Sequence, residues 1–210
     1  MPKIIKPAKG TYTTADITVD SSGRVITASS GSGGAQALNM LLAVEGPSAS
    51  NITTGNSSST VIAYIGGAGG GAGGGRSGNQ QNTGGTGGEG AFGFYTAPVA
   101  SGSTKAYNVG AGGAGGNAGG GSGLVGAAGG STTLTDVGTA NAGGAGGGGT
   151  NSQTGTSGTD GTAPGGTLLP YSYPIKSEKE NPLYYCQGGT GNRAMVGQSG
   201  NPGILVVYDQ

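Results

Sequence analysis

The residues able to do chemistry are few, and their spacing decides what chemistry is open. The 210-residue chain has no histidine and a single cysteine, Cys186. A serine or cysteine nucleophile therefore lacks its usual imidazole base, and neither an internal disulfide nor a cysteine-built metal site can form. Cys186 reads as a small buried thiol. Matches to G-x-G-x-x-G are frequent, as they must be with 53 glycines. None lies between a strand and a helix with an acidic residue about 20 positions on, as a dinucleotide site requires. No Gly-Lys-Ser/Thr is present for a phosphate loop. Asp160, between Gly158 and Gly161, lacks the paired glycines and the repeats of a calcium-binding nonapeptide array. No carboxylate pair stands out for acid–base work. The expectation is a non-enzymatic protein without cofactor or metal.

One stretch concentrates recognition chemistry. In residues 167–189, Tyr171, Tyr173, Tyr184 and Tyr185 surround Lys176, Glu178, Lys179 and Glu180, and Pro170, Pro174 and Pro182 restrict the backbone. Tyrosines bury a large amphipathic area at low entropy cost, which is why paratopes are rich in them. These eight residues form a candidate recognition loop that could read a sugar or an outer-membrane protein loop. The same composition also suits a contact between subunits or a strap covering the strand end. Phe94 and Tyr95 are assigned to the core.

The elements that must position such a loop are made mostly of glycine. Tracts at residues 66–75, 84–90, 110–116 and 143–149 alternate with short strand-like segments. Each glycine costs roughly 0.5–1 kcal/mol more to order than alanine, so the tracts are either disordered or packed backbone to backbone. Disorder by composition goes with high net charge, whereas this chain has nine basic and nine acidic residues. Its tracts also interleave glycine with alanine rather than serine. Extended glycine can form a left-handed helix of three residues per turn whose N–H and C=O groups all point outward, and each of those groups needs a partner. Neighbouring glycine helices can supply it. Gly110, Gly113, Gly116 and Gly119 keep a period of three, as do Gly143, Gly146 and Gly149, but Ala68, Ala72 and Arg76 fall every four. The strict period of collagen is absent. The fold class read from these features is all-β, with short strands, packed polyglycine II-type helices and a small N-terminal β-hairpin.

Charge narrows the partners. Only six charged residues lie between Val25 and Ile175, and a neutral chain without a basic cluster leaves no footprint for nucleic acid. No apolar run approaches the ~20 residues of a membrane span, and the start, Met-Pro-Lys-Ile-Ile-Lys-Pro, lacks the apolar core of a signal peptide. The sequons at Asn51 and Asn56 are then idle.

Two regions are expected: a segment at 1–34 and a glycine-rich domain at 35–210. Residues 1–10 are an extended basic leader. Residues 11–20 and 24–28 read as a hairpin around Ser21-Ser-Gly23, too small to be stable alone. Residues 35–44 have helix-forming composition, but their apolar run bounded by Gly34 and Gly46-Pro47 also fits a buried strand, and strand is expected because the surroundings are β or coil; 47–59 read as a polar loop, and 60–65 as a strand that feeds the first tract. Further strands are expected at 91–96, 105–109 and 132–136. Residues 150–166 suit either another thin helix or a plain loop. Residues 203–208, Gly-Ile-Leu-Val-Val-Tyr, form the most apolar strand, suited to the middle of a sheet. Strands would gather at one end and glycine helices at the other.

Three motifs resemble a known family. Ala15-Asp-Ile-Thr-Val-Asp-Ser-Ser-Gly-Arg-Val-Ile-Thr-Ala-Ser is similar to a short repeat of bacteriophage tail-fibre proteins. Tyr107-Asn-Val-Gly-Ala-Gly-Gly resembles the "Y-x-V-G-A-G-G" tract of the glycine-rich domain found at the ends of such fibres. Residues 203–208 resemble its closing "GG-I-I-V-Y" strand, with one glycine instead of two. The distal adhesins of T-even-like phages use a related solution, stacked polyglycine helices that present variable loops. The resemblance implies a virion protein, made in the host cytoplasm, that binds a host surface glycan or outer-membrane protein. It also implies that residues 1–34 face another tail or baseplate protein, with trimerisation supplying the core that the hairpin lacks. A purely structural fibre or baseplate role is the alternative. An ice-binding role would need exposed Thr or Ala at a fixed repeat, and the irregular period argues against it.

Overall fold

The computed structural model describes residues 15–19, 25–30, 38–56, 59–76, 82–150, 153–170, 186–191 and 195–210, the first two stretches by their backbone. The chain divides into two compact units, Met1–Ala37 and Leu38–Gln210. In the first, β1 (Ala15–Val19) pairs antiparallel with β2 (Val25–Ser30), Ile17 opposite Ala28.

The second unit is all-β, without an α-helix among its described residues. It carries β3 (Asn39–Glu45), β4 (Ser48–Thr53), β5 (Thr60–Gly66), β6 (Phe92–Pro98), β7 (Thr104–Val109), β8 (Thr132–Leu134), β9 (Gly138–Ala140), β10 (Thr167–Leu168) and β11 (Ile204–Asp209). They form two antiparallel sheets, β10-β6-β5-β11-β3 and β4-β7-β8-β9. The apolar β11 lies between β5 and β3, with Leu205 opposite both Ile65 and Val44. Period-two alternation turns Val61, Ala63, Ile65, Tyr95, Leu205 and Val207 to the face where Ile52, Val109, Leu134 and Ala140 of the other sheet meet them. Tyr95 is buried there and donates its hydroxyl to the Thr139 carbonyl. Phe94, expected in the core, faces the opposite side and is half-buried.

Two expectations are corrected. Residues 47–59 hold a strand, β4, instead of only a loop. Its sequence, Ser-Ala-Ser-Asn-Ile-Thr, buries one side chain, Ile52, so the backbone ladder with β7 defines it rather than an apolar pattern. β6 runs to Pro98, two residues beyond the strand expected at 91–96. That position suits proline because a strand end needs fewer ladder donors.

The tracts pack backbone to backbone. Every N–H from residue 67 to 76 donates to a carbonyl of another tract at 2.8–3.0 Å, and the recipient changes in strict rotation. Gly67, Gly70, Gly73 and Arg76 donate to Ala91, Gly88, Gly85 and Asn82; Ala68, Gly71 and Gly74 donate to Gly130, Ala127 and Leu124; Gly69, Ala72 and Gly75 donate to Asn201, Gln198 and Met195. Carbonyls of the same tract accept from Gly113, Gly116 and Gly119, from Gly143, Gly146 and Gly149, and from Gly189. The surrounding tracts also bond to one another. In order they are 110–119, 123–130, 141–149, 82–91, 186–191 and 195–201, and the last returns to the first through Gly197 N to Gly116 O and Gly200 N to Gly113 O. Tract 67–76 is thus enclosed by a closed ring of six. Residues 155–162 add one more on the outside, against 82–91 and 141–149.

Glycine is required here for closeness. Among the described residues only Gly102 and Gly165 have glycine φ in the left-handed region. A Cβ on Gly70, Gly71, Gly73 or Gly74 would instead collide with the carbonyls of Gly144, Ala114, Gly147 or Asn117. The ordering cost of each glycine is similar in size to the ~0.5–1.5 kcal/mol net gain from one hydrogen bond, and that parity makes a core of backbone feasible. Ala68 and Ala72 are buried in this lattice at 0% exposure, so their spacing of four is side-chain accommodation and leaves the bonding period at three.

Candidate recognition surface

The topology gives the second unit two distinct ends. Tracts 67–76, 82–91, 110–119, 123–130, 141–149 and 195–201 each adjoin a strand at one end: β5, β6, β7, β8, β9 and β11. Their other ends, at residues 76, 82, 119, 123, 149 and 195, share the end away from the sheets. There Asn82 donates its side-chain amide to the Thr150 carbonyl at 2.7 Å, and Thr150 N–H bonds Gln153 O at 2.9 Å. The chain arrives at Leu38, one residue before Asn39, which pairs with Asp209 at the sheet end remote from the tracts. Arrival and tip are therefore at opposite ends of this unit.

The tip carries unusual side chains for so polar a molecule. Leu124, Val125, Met195 and Val196 are 59%, 63%, 63% and 54% exposed. They sit at the starts of tracts 123–130 and 195–201, on either side of tract 110–119: Leu124 N–H bonds Asn117 O, and Gly197 N–H bonds Gly116 O. Backbone bonding fixes these positions, since the Leu124 and Met195 carbonyls accept from Gly74 and Gly75. Sequence reasoning missed them. The available signal was a pair of large apolar residues inside a glycine tract, Gly-Leu-Val-Gly and Ala-Met-Val-Gly, too short for a strand and costly to leave in water without a purpose.

The eight residues singled out from sequence, Tyr171, Tyr173, Lys176, Glu178, Lys179, Glu180, Tyr184 and Tyr185, lie outside the described residues. The positions where their segment leaves and returns are described. Leu169 N–H bonds Phe92 O at 2.7 Å, and Cys186 N–H bonds Pro202 O at 3.1 Å. Cys186 is buried, 1% exposed, with φ of 66°. Burial, and secondarily the negative charge of Glu89, pushes its pKa up to about 12, so it is a thiol at neutral pH and not an activated nucleophile. Among the described residues no group of three or more Cys, Asp or Glu is placed to hold a metal ion.

The side wall is more regular than the sequence suggested. Thr156, Thr159 and Thr162 are exposed on the outer tract at every third residue, and Thr86 Oγ1 meets Ser157 Oγ at 3.0 Å. Comparison of the chain with protein-family models and with curated proteins finds no match.

Proposed function

We propose that the tracts are packed polyglycine II-type helices and that the chain is a non-enzymatic bacteriophage tail-fibre adhesin, recognising a host surface receptor through its tip. The three-residue period of the backbone hydrogen bonds supports the first part, since it is the repeat of such a helix. The observation that carries the second is the polarity of the larger unit. The chain arrives at one end, and the free ends of the tracts with four exposed apolar side chains gather at the other. A rigid scaffold presenting loops is a common way to build a binding site, and a lattice closed by backbone bonds leaves the loops free to vary. Residues 1–34 attach to a neighbouring tail or baseplate protein, and three copies associate there.

Binding of labelled protein to a panel of bacterial strains tests this reading. Retention on some strains and not others is the expected result. A folded protein retained by none would favour the structural fibre or baseplate role.

A further inference from the structure

One segment runs beside the central tract for the whole length of the larger unit. Thr60 and Gln210 exchange backbone bonds at 3.0 and 3.2 Å, and β11 pairs with β5 from Asp209 opposite Val61 to Ile204 opposite Gly66. The same register continues into the lattice, where the N–H groups of Gly69, Ala72 and Gly75 donate to Asn201, Gln198 and Met195. Each step forward along residues 60–75 is matched by one step back along residues 195–210. Strand and tract are therefore one antiparallel pair, running from the sheet end to the tip. Its two halves are far apart in sequence, so the closure entropy is lost before any of these bonds can form.

Three dependencies meet in residues 195–209. Without them, three donors of the central tract lose their acceptors, and the ring opens between tracts 110–119 and 186–191. Among the described residues only this segment bonds both, through Gly197 and Gly200 on one side and Gln198 and Asn201 on the other. The five-stranded sheet is cut as well, because β11 stands between β3 and β5 and is the neighbour β3 has in it. Both apolar clusters lose members, since Leu205 and Val207 belong to one and Ile204 and Val206 to the other, each at most 4% exposed. Burying four aliphatic side chains is comparable with the whole net stability of an ordinary domain. We propose that residues 195–209 are a clasp: the second unit has no partly folded form without them, so sheets, lattice and tip form together or not at all. The tip shares the dependence, since Met195 and Val196 belong to the clasp and Leu124 is held against tract 110–119, which the clasp closes. A chain whose clasp is unpaired, during synthesis or after damage, presents no recognition surface. The inference holds whatever the tip binds.

Native-state amide exchange on the full-length protein tests the clasp. Gly69 and Ala72 donate to it, whereas Gly71 and Gly74 donate to tract 123–130, and Ala127 to Ala114. If no part survives its release, all five amides exchange through global unfolding, with protection equal to within about threefold. Protection of Gly71, Gly74 and Ala127 that exceeds that of Gly69 and Ala72 by about tenfold or more would reveal a lattice that outlasts the clasp, and would overturn the proposal. A variant adds a second reading. Gly200→Ala places a Cβ against the Gly69 carbonyl and is expected to lower protection by one common factor at all five amides. A loss confined to Gly69 would give the segment a local role and also overturn the proposal. Should the variant fail to fold, exchange on the unmodified protein decides.

Discussion

Replacing Gly71 with alanine places one methyl group into the backbone lattice, and its cost can be worked out from the neighbours. The new Cβ would meet the Ala114 carbonyl and the Gly113 oxygen, both backbone atoms closer than 3.0 Å. To restore ordinary contact, tract 110–119 must retreat by about 1 Å, because neither partner is a flexible side-chain end. That shift stretches the bonds from Gly113 N to Gly69 O, 2.9 Å, and from Gly116 N to Ala72 O, 2.8 Å. Losing two buried bonds costs about 1 kcal/mol each, and the overpacking itself ~1–3 kcal/mol. Alanine offsets ~0.4–1 kcal/mol of this by restricting the unfolded chain. The net destabilisation is about 2–4 kcal/mol, which for a chain of this size lowers the melting midpoint by roughly 5–15 °C. Gly121 is the matched control, since a Cβ there meets nothing within 4 Å. Gly121→Ala should leave the midpoint unchanged or raise it by a few degrees, about 1–3 °C. Calorimetry on both variants is the assay. Midpoints of Gly71→Ala and Gly121→Ala that agree within error would refute a core made of backbone.

Two further predictions concern buried side chains. Tyr95→Phe removes the donor to the Thr139 carbonyl inside the core and should cost about 1–3 kcal/mol, read as a lower denaturant midpoint with an unchanged slope. The Cys186 thiol holds its proton more tightly when folded, up to a pKa of about 12 against an ordinary 9.0. The unfolded chain therefore loses that proton first, and stability should fall as pH rises from about 9 towards 12. Below pH 9 this contribution is constant, so Cys186→Ala should show a flatter stability profile in the alkaline range and none of the change below it.

Much of the fold was legible where side chains alternate. Val61, Ala63 and Ile65 marked β5, and the run Ile204 to Val207 marked the strand that lies centrally between β5 and β3. β4 was hidden because only Ile52 among its six residues is buried, and β9 and β10 are too short for a pattern. The tracts posed a different problem. Their period of three is carried by peptide groups, which every residue has, so Ala68 and Ala72 gave a misleading spacing of four. Which tract neighbours which depends on long-range bonds such as Gly69 N to Asn201 O, for which no local signal exists. The tip was unreadable for the same reason: Leu124 and Met195 are 71 residues apart in sequence (195 minus 124) and flank one tract only through the lattice. Tyrosine content pointed to residues 171–185, which lie outside the described residues.

Recognition through the tip is tested by comparing receptor binding of the parent protein with that of a tip variant, Leu124→Ser with Val196→Ser. Both side chains are more than half exposed, so the variant should fold and melt like the parent. On a strain that retains the parent, the variant should lose at least about tenfold in affinity, the size expected when exposed apolar anchors are removed from a contact. Undiminished binding by a folded tip variant would contradict recognition through the tip.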